Sequence, residues 1–196
     1  RELTRSCYRQ GVGLSETTWF HSARAGEQMW GEQASWDRKT GQGKPYLSYS
    51  FATHVAEVEV DTETGKIDVI RYVACHDVGR VINRMLAEGQ VHGGVAYGLG
   101  YALMEECLHE KGRVLNPNLL DYYIPTSLDV PSEIVPILVE HPACTGPFGA
   151  KGLGEPPAEI VAPAVANAVF CAVGVRIRDL PTTSEKVYFA LQGGKV

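Results

Sequence analysis

The sequence predicts an α+β fold of irregular α/β order, on three observations. Residues 46–75 read as two alternating strands around a turn, and residues 86–107 and 158–173 carry helical patterning. The strands and helices do not follow a regular βαβ repeat. The chain has 196 residues, 44% hydrophobic and 21% charged, enough to bury a sizeable core and too apolar for disorder. Glycine and proline together form about 16% of it against a usual share of about 12%, so turns and loops are heavily specified.

In chain order, residues 1–10 read as the last turns of a helix stopped by Gly11 and Gly13. Residues 11–45 form a loop-rich lead-in without sustained period, holding Trp19, Trp30 and Trp36. Those rings either pack on neighbouring structure or line a substrate funnel. Residues 46–60 alternate, with His54, Val58 and Val60 on one face and Val55, Glu57 and Glu59 on the other. Asp61-Thr-Glu-Thr-Gly65 supplies turn chemistry, and residues 67–75 return as the second strand of a hairpin.

A helix is predicted over 86–107 although it contains Gly89, Gly93, Gly94, Gly98 and Gly100. Each costs about 0.8–1 kcal/mol relative to alanine, about 4–5 kcal/mol together, so something offsets them. Two readings fit: close helix packing, or a helix pressed against a buried cofactor. Residues 117–131 read as a connection and 133–140 as a buried strand. The dense loop Gly146-Pro-Phe-Gly-Ala-Lys-Gly-Leu-Gly-Glu155-Pro-Pro157 leads into a final apolar helix over 158–173.

The balance of 18 Lys and Arg against 23 Asp and Glu, net −5, offers no electrostatic footprint for nucleic acid or an anionic membrane. No apolar run approaches the roughly eighteen residues that cross a bilayer, and no export signal opens the chain. The five dispersed cysteines predict no disulfide framework and a reducing, cytoplasmic setting. Six scattered histidines advertise no zinc site, so no protein metal ligands are assigned. A start at Arg1 within a polar stretch predicts a longer parent polypeptide.

Within the dense loop, four glycines let main-chain N–H groups approach an anionic or oxygen-rich ligand. Pro156 is expected to hold Glu155 out of the α region at the helix entrance, aiming its carboxylate, with Lys151 nearby. A carboxylate so placed is a usable general base. Equally, Glu155 could cap the helix and Lys151 be a solvated charge. The loop matches neither a nucleotide P-loop nor a dinucleotide fingerprint.

This loop, together with Asp77-Val-Gly-Arg-Val-Ile-Asn83, Gly89-Gln-Val-His-Gly-Gly94 and Gly174-Val-Arg-Ile-Arg-Asp-Leu-Pro-Thr-Thr-Ser-Glu-Lys-Val187, resembles the molybdenum hydroxylases, the xanthine dehydrogenases and aldehyde oxidoreductases. The motifs stand in family order from about Tyr49 to Val187, so residues 1–196 resemble the C-terminal segment of the molybdopterin-binding domain in that family's molybdenum subunit. The resemblance implies molybdenum on a molybdopterin, in the cytosine dinucleotide form, with iron–sulfur clusters and FAD on partner domains or subunits. It implies oxidation of an aldehyde or N-heteroaromatic substrate with water-derived oxygen, and Gly146-Pro-Phe-Gly-Ala-Lys-Gly leans towards the aldehyde branch. Glu155 would be the general base. Gln90, Lys151, Gly152, Leu153 and Gly154 would contact the cofactor, and Cys75, Cys107, Cys144 and Cys171 would be packing residues rather than ligands. The partners implied are the remainder of the molybdenum subunit, the electron-transfer partners and another copy of the chain. Tyr97, where many members have glutamine, and Arg84, where proline is common, are departures that bear on local packing. Two other readings stand beside this one: a non-catalytic cofactor-binding or scaffold fragment, and a phosphate-binding enzyme using Lys151.

Overall fold

The computed structural model describes residues 2–13, 15, 17, 37, 39–43, 48–144 and 146–194. The chain divides into two compact units, residues 1–47 and 48–196. In the first, helix α1 (Glu2–Gln10) ends at Gly11, whose φ of +64° suits glycine, and a tight turn closes between Asp37 and Gln42. Trp19, Trp30 and Trp36 lie outside the described residues.

The second unit carries the fold. Strand β1 (Ala52–Val60) pairs antiparallel with β2 (Ile67–Asp77), as the alternation predicts. Tyr46 and Leu47 lie outside the described residues, and residues 48–51 precede the strand. The register shifts beside Glu57 and Val58, leaving Ile70 as the extra residue on β2. That bulge lets both Val69 and Tyr72 point inward although they are three residues apart.

Strand β5 (Glu133–Val139) pairs parallel with β2, so the sheet order is β1-β2-β5. The sequence predicts a buried strand here, but only Ile134 and Leu138 pack on the core, while Ile137 and Val139 are exposed. An edge position explains the difference and accommodates Pro136, which has no N–H to donate. A short hairpin of β3 (His109–Glu110) and β4 (Arg113–Val114) was not legible as strands.

Helix α2 (Arg84–Leu103) begins two residues before its predicted start, because the Asn83 side chain accepts from Leu86 N at 3.1 Å. It also ends four residues before the predicted Cys107. The Gly100 carbonyl accepts from both Met104 N (2.8 Å) and Glu105 N (2.7 Å), closing the last turn. Val91, Val95 and Leu99, four apart, form its buried stripe.

The predicted helix over 158–173 is two helices, α3 (Pro156–Glu159) and α4 (Val161–Val173), broken at Ile160. Pro163 causes the break: it has no N–H for the Glu159 carbonyl, and its ring collides with that carbonyl in a continuous helix. A further helix, α5 (Ser184–Leu191), follows, its first turn capped by Thr183, whose hydroxyl accepts from Lys186 N.

Val161, Val165 and Val169 of α4 meet the α2 stripe and Tyr72, Ala74, Ile177 and Val187 in one core. Contrary to the sequence reading, the 18 residues Pro156–Val173 are long and apolar enough, at mean hydropathy 1.4, to cross a membrane. The stretch is broken at Ile160, and its valines face this core. The cysteine expectation also changes. Cys107, Cys144 and Cys171 are exposed and Cys75 is half-buried, because the first two sit in loops and Cys171 lies off the valine stripe of α4.

Candidate functional site

Helix α2 presents a second stripe, Gly89, Gly93, Tyr97 and Tyr101, four residues apart and therefore on one face. This face, with Gln90 and Gly94, forms one wall of a cavity of about 460 Å³; Gly154, Glu155, Ala158 and Glu159 form the other. The glycines of α2 divide between the two readings left open by the sequence. A Cβ on Gly94 would stand 2.5 Å from the Pro157 Cβ, and one on Gly98 2.5 Å from the Val161 Cβ, so these two permit close helix packing. A Cβ on Gly89 or Gly93 would meet nothing within 4 Å, so these two leave backbone bare towards the cavity.

Tyr101 ties the walls together. Its hydroxyl donates to the Ala158 carbonyl at 2.7 Å and lies 3.4 Å from that of Glu159, the carbonyl that Pro163 leaves without a helical donor. Burial raises the Tyr101 pKa, with Tyr97 adding to the effect, so the hydroxyl stays protonated and able to donate. The Tyr97 ring meets the Tyr101 ring edge-on, 5.9 Å between centroids.

Glu155 is the N-cap residue of α3, with φ −94° and ψ −39°. Pro156 was expected to keep it out of the helical region. It does not, because Ala158 N donates to the Glu155 carbonyl at 2.9 Å, and buried Pro157 and Ala158 hold that turn against Gly94. The Glu155 side chain makes no capping hydrogen bond and lines the cavity.

Lys151 is neither a solvated charge nor the neighbour of Glu155 that the sequence suggests. Its ammonium pairs with Asp77 at the end of β2, the two side chains being 6% and 12% exposed. Burial raises the Asp77 pKa, but the Lys151 hydrogen bond, the Gly79 N–H and the charges of Lys151 and His141 outweigh it, leaving the carboxyl below its ordinary value. The Lys151 N–H is also engaged, donating to the Val78 carbonyl at 3.0 Å.

Of the residues predicted to contact a cofactor, Gln90 and Gly154 therefore share the cavity with Glu155, and Lys151, Gly152 and Leu153 do not. Lys151 and Leu153 line a smaller cavity of about 300 Å³ on the other side of Gln90. The Gly152 carbonyl accepts from Ser50 Oγ at 3.2 Å, and Leu153 packs on the core. The sequence reading missed Tyr97, Tyr101 and Glu159 as cavity residues and Asp77 as the partner of Lys151. The first two were detectable in the four-residue spacing that continues from Gly89 and Gly93. Nothing local announces the Asp77–Lys151 pair.

The cavity fits a flat heterocycle such as a pterin: bare helix backbone at Gly89 and Gly93, an amide at Gln90 able to donate and accept, and a carboxylate opposite. Among the described residues no group of three or more His, Cys, Asp or Glu could hold a metal ion.

The family model described as the molybdopterin cofactor-binding domain matches residues 1–131. The chain is 38% identical over 177 residues to a xanthine dehydrogenase molybdenum-binding subunit of Escherichia coli, covering 89% of this chain and 22% of that subunit. It is similar in structure to the aldehyde oxidoreductase from Desulfovibrio gigas, with TM-score 0.75 and 38% identity over 80% of this chain and 17% of that one. It is also similar to quinoline 2-oxidoreductase from Pseudomonas putida 86, with TM-score 0.67 and 36% identity over 72% of this chain and 18% of that one. The chain thus spans about a fifth of the length of the curated relatives it matches. With the family match covering most of its residues, the chain belongs to the molybdopterin cofactor-binding domain family, and it is similar to a segment of the molybdenum-binding subunit named above.

Proposed function

We propose that this chain supplies the general base and one wall of the cofactor cradle in a molybdenum hydroxylase that oxidises an aldehyde or an N-heteroaromatic carbon with water-derived oxygen. One observation carries the reading: Glu155 faces the bare Gly89–Gly93 backbone and Gln90 across a single cavity. The relatives' names span the two substrate classes, an aldehyde oxidoreductase on one side and a quinoline oxidoreductase on the other.

In this reading the bound group supplies the two-electron oxidation. The chain's own residues do the rest. Gln90 offers an N–H₂ and a carbonyl to the pterin, and Gly89 and Gly93 admit its ring edge against the helix. Glu155 accepts one proton at a carboxylate oxygen, which requires the donor within about 2.6–3.2 Å or one water away. Lys151, Gly152 and Leu153 support this wall from behind. The cofactor takes the cytosine dinucleotide form, and electrons leave through iron–sulfur and FAD partners. The remainder of the molybdenum subunit completes the cradle. The enzyme works in the cytoplasm as a homo-oligomer.

The test is a pair of variants in the full-length protein. Glu155→Gln retains molybdenum and pterin yet loses about 10²–10⁴-fold in turnover, the usual contribution of a positioned proton acceptor. Gln90→Ala loses pterin, read by fluorescence after release, without changing the pH dependence of the turnover that remains. Near-normal turnover in Glu155→Gln removes the assigned role.

A further inference from the structure

We infer that the buried Asp77–Lys151 ion pair is the positioning device of the loop that carries Glu155, fixing where that carboxylate stands relative to the cavity. The inference rests on the reading of Glu155 given above.

The loop departs from the sheet at one seam. Lys151 N donates to the Val78 carbonyl (3.0 Å), while Arg80 N (3.0 Å) and Ala143 N (2.9 Å) both donate to the Gly149 carbonyl. Gly79 makes the seam possible. Its φ is +68°, and a Cβ there would lie 2.3 Å from the Gly149 oxygen and 2.8 Å from Lys151 N. Beyond Lys151 the contacts are apolar or exposed: Leu153 packs on the core. Gly152 and Gly154 have open space on their Cβ side, and the Ser50 bond to the Gly152 carbonyl is exposed.

The last fixed point before Glu155 that is both charged and buried is therefore Lys151. One oxygen of Asp77 takes the Lys151 ammonium and the other takes Gly79 N at 3.1 Å, so a single carboxylate joins the strand-end turn to the loop. Taking two charges out of water is costly unless the geometry is fixed and the remaining lone pairs are satisfied. Here each Asp77 oxygen has a donor, Lys151 Nζ on one and Gly79 N on the other. An apolar pair of the same volume would fill the space but would leave the loop free to slide along the seam, because dispersion contacts are not directional. Direction is what Glu155 requires.

The experiment uses the full-length holoenzyme with Lys151→Met, Asp77→Asn and Lys151→Arg. Backbone amide exchange is followed by mass spectrometry in the peptide covering residues 149–155, whose hydrogen-bonded amides are those of Gly149, Ala150 and Lys151, and in peptides from α2 and β1. Lys151→Met and Asp77→Asn are expected to speed exchange at those amides about tenfold and leave α2 and β1 protected. Molybdenum content stays near that of the parent, kcat falls about a hundredfold, as a misplacement near 1 Å produces, and KM moves far less. Lys151→Arg, which keeps the charge, recovers most of the protection. Unchanged exchange in 149–155, or loosening spread equally over α2 and β1, overturns the inference. If Lys151→Met does not fold, Asp77→Asn decides, since it keeps the side-chain size and an acceptor for Gly79. Normal turnover in Glu155→Gln would remove the base but not the exchange result, so the two failures are distinguishable.

Discussion

The hydroxyl of Tyr101 donates to the Ala158 carbonyl across the 57 residues that separate them, and this bond closes the cavity wall bearing Glu155. It lies where Pro163 has interrupted the helix, so a side chain replaces part of the hydrogen bonding that the backbone cannot complete. Tyr101→Phe is expected to destabilise the protein by about 0.5–1.5 kcal/mol, the net worth of one such bond. Urea unfolding followed by circular dichroism checks this, and an unchanged midpoint would show the bond to be energetically idle.

Two glycines of α2, Gly98 against α4 and Gly93 at the cavity, should separate by substitution. Gly98→Ala puts a methyl 2.5 Å from the Val161 Cβ and 2.9 Å from the Ala158 carbonyl, and overpacking of this kind costs about 1–3 kcal/mol. Gly93→Ala meets open space and gains about 0.8–1 kcal/mol of helix propensity in cofactor-free protein. Its cost appears elsewhere, as reduced pterin content in the loaded protein. Equal pterin content in Gly93→Ala and the parent would argue that no ligand approaches this face.

Beneath the sheet, His54 Nδ1 lies 2.9 Å from the Tyr72 hydroxyl, and His54 Nε2 lies 2.7 Å from His76 Nε2. His76 Nδ1 is buried without a hydrogen-bond partner among the described residues. Burial, and secondarily the neighbouring His76, pushes His54 down to about 4, and burial lowers His76 as well. Both rings are therefore neutral in the folded protein at pH 7, whereas the unfolded chain takes up protons from about pH 6.5 downward. Stability is full above that pH and declines as the pH falls towards 4, because the unfolded state binds more protons in that window. His54→Gln should flatten the decline, measured as the difference between urea midpoints at pH 7 and pH 4.5. A variant with the same decline as its parent would locate the acid sensitivity elsewhere.

Much of the architecture was legible from local order. Alternation located β1 and β2, the glycine and turn residues after Asp61 located their connection, and the motif order from Asp77 to Val187 identified the family and the loop holding Glu155. Element ends were misjudged where one short-range contact overrode the broader hydropathy pattern. Helix α2 stops at Leu103 because the Gly100 carbonyl accepts two N–H groups. The run 158–173 looks continuous in hydropathy but divides at Ile160 because of one proline ring.

Residue identity and spacing thus determined which side chains could do chemistry: a carboxylate at 155, an amide at 90, and a stripe of glycines between them in the chain order of the family. Tertiary structure alone decided their neighbours. It engaged Lys151 with Asp77, 74 residues away, rather than with Glu155 four residues on. It also divided the glycines of α2 into packing contacts and open wall. The reason is physical: periodicity records which face of an element avoids water, whereas a buried ion pair or a helix contact depends on which element arrives from elsewhere in the chain.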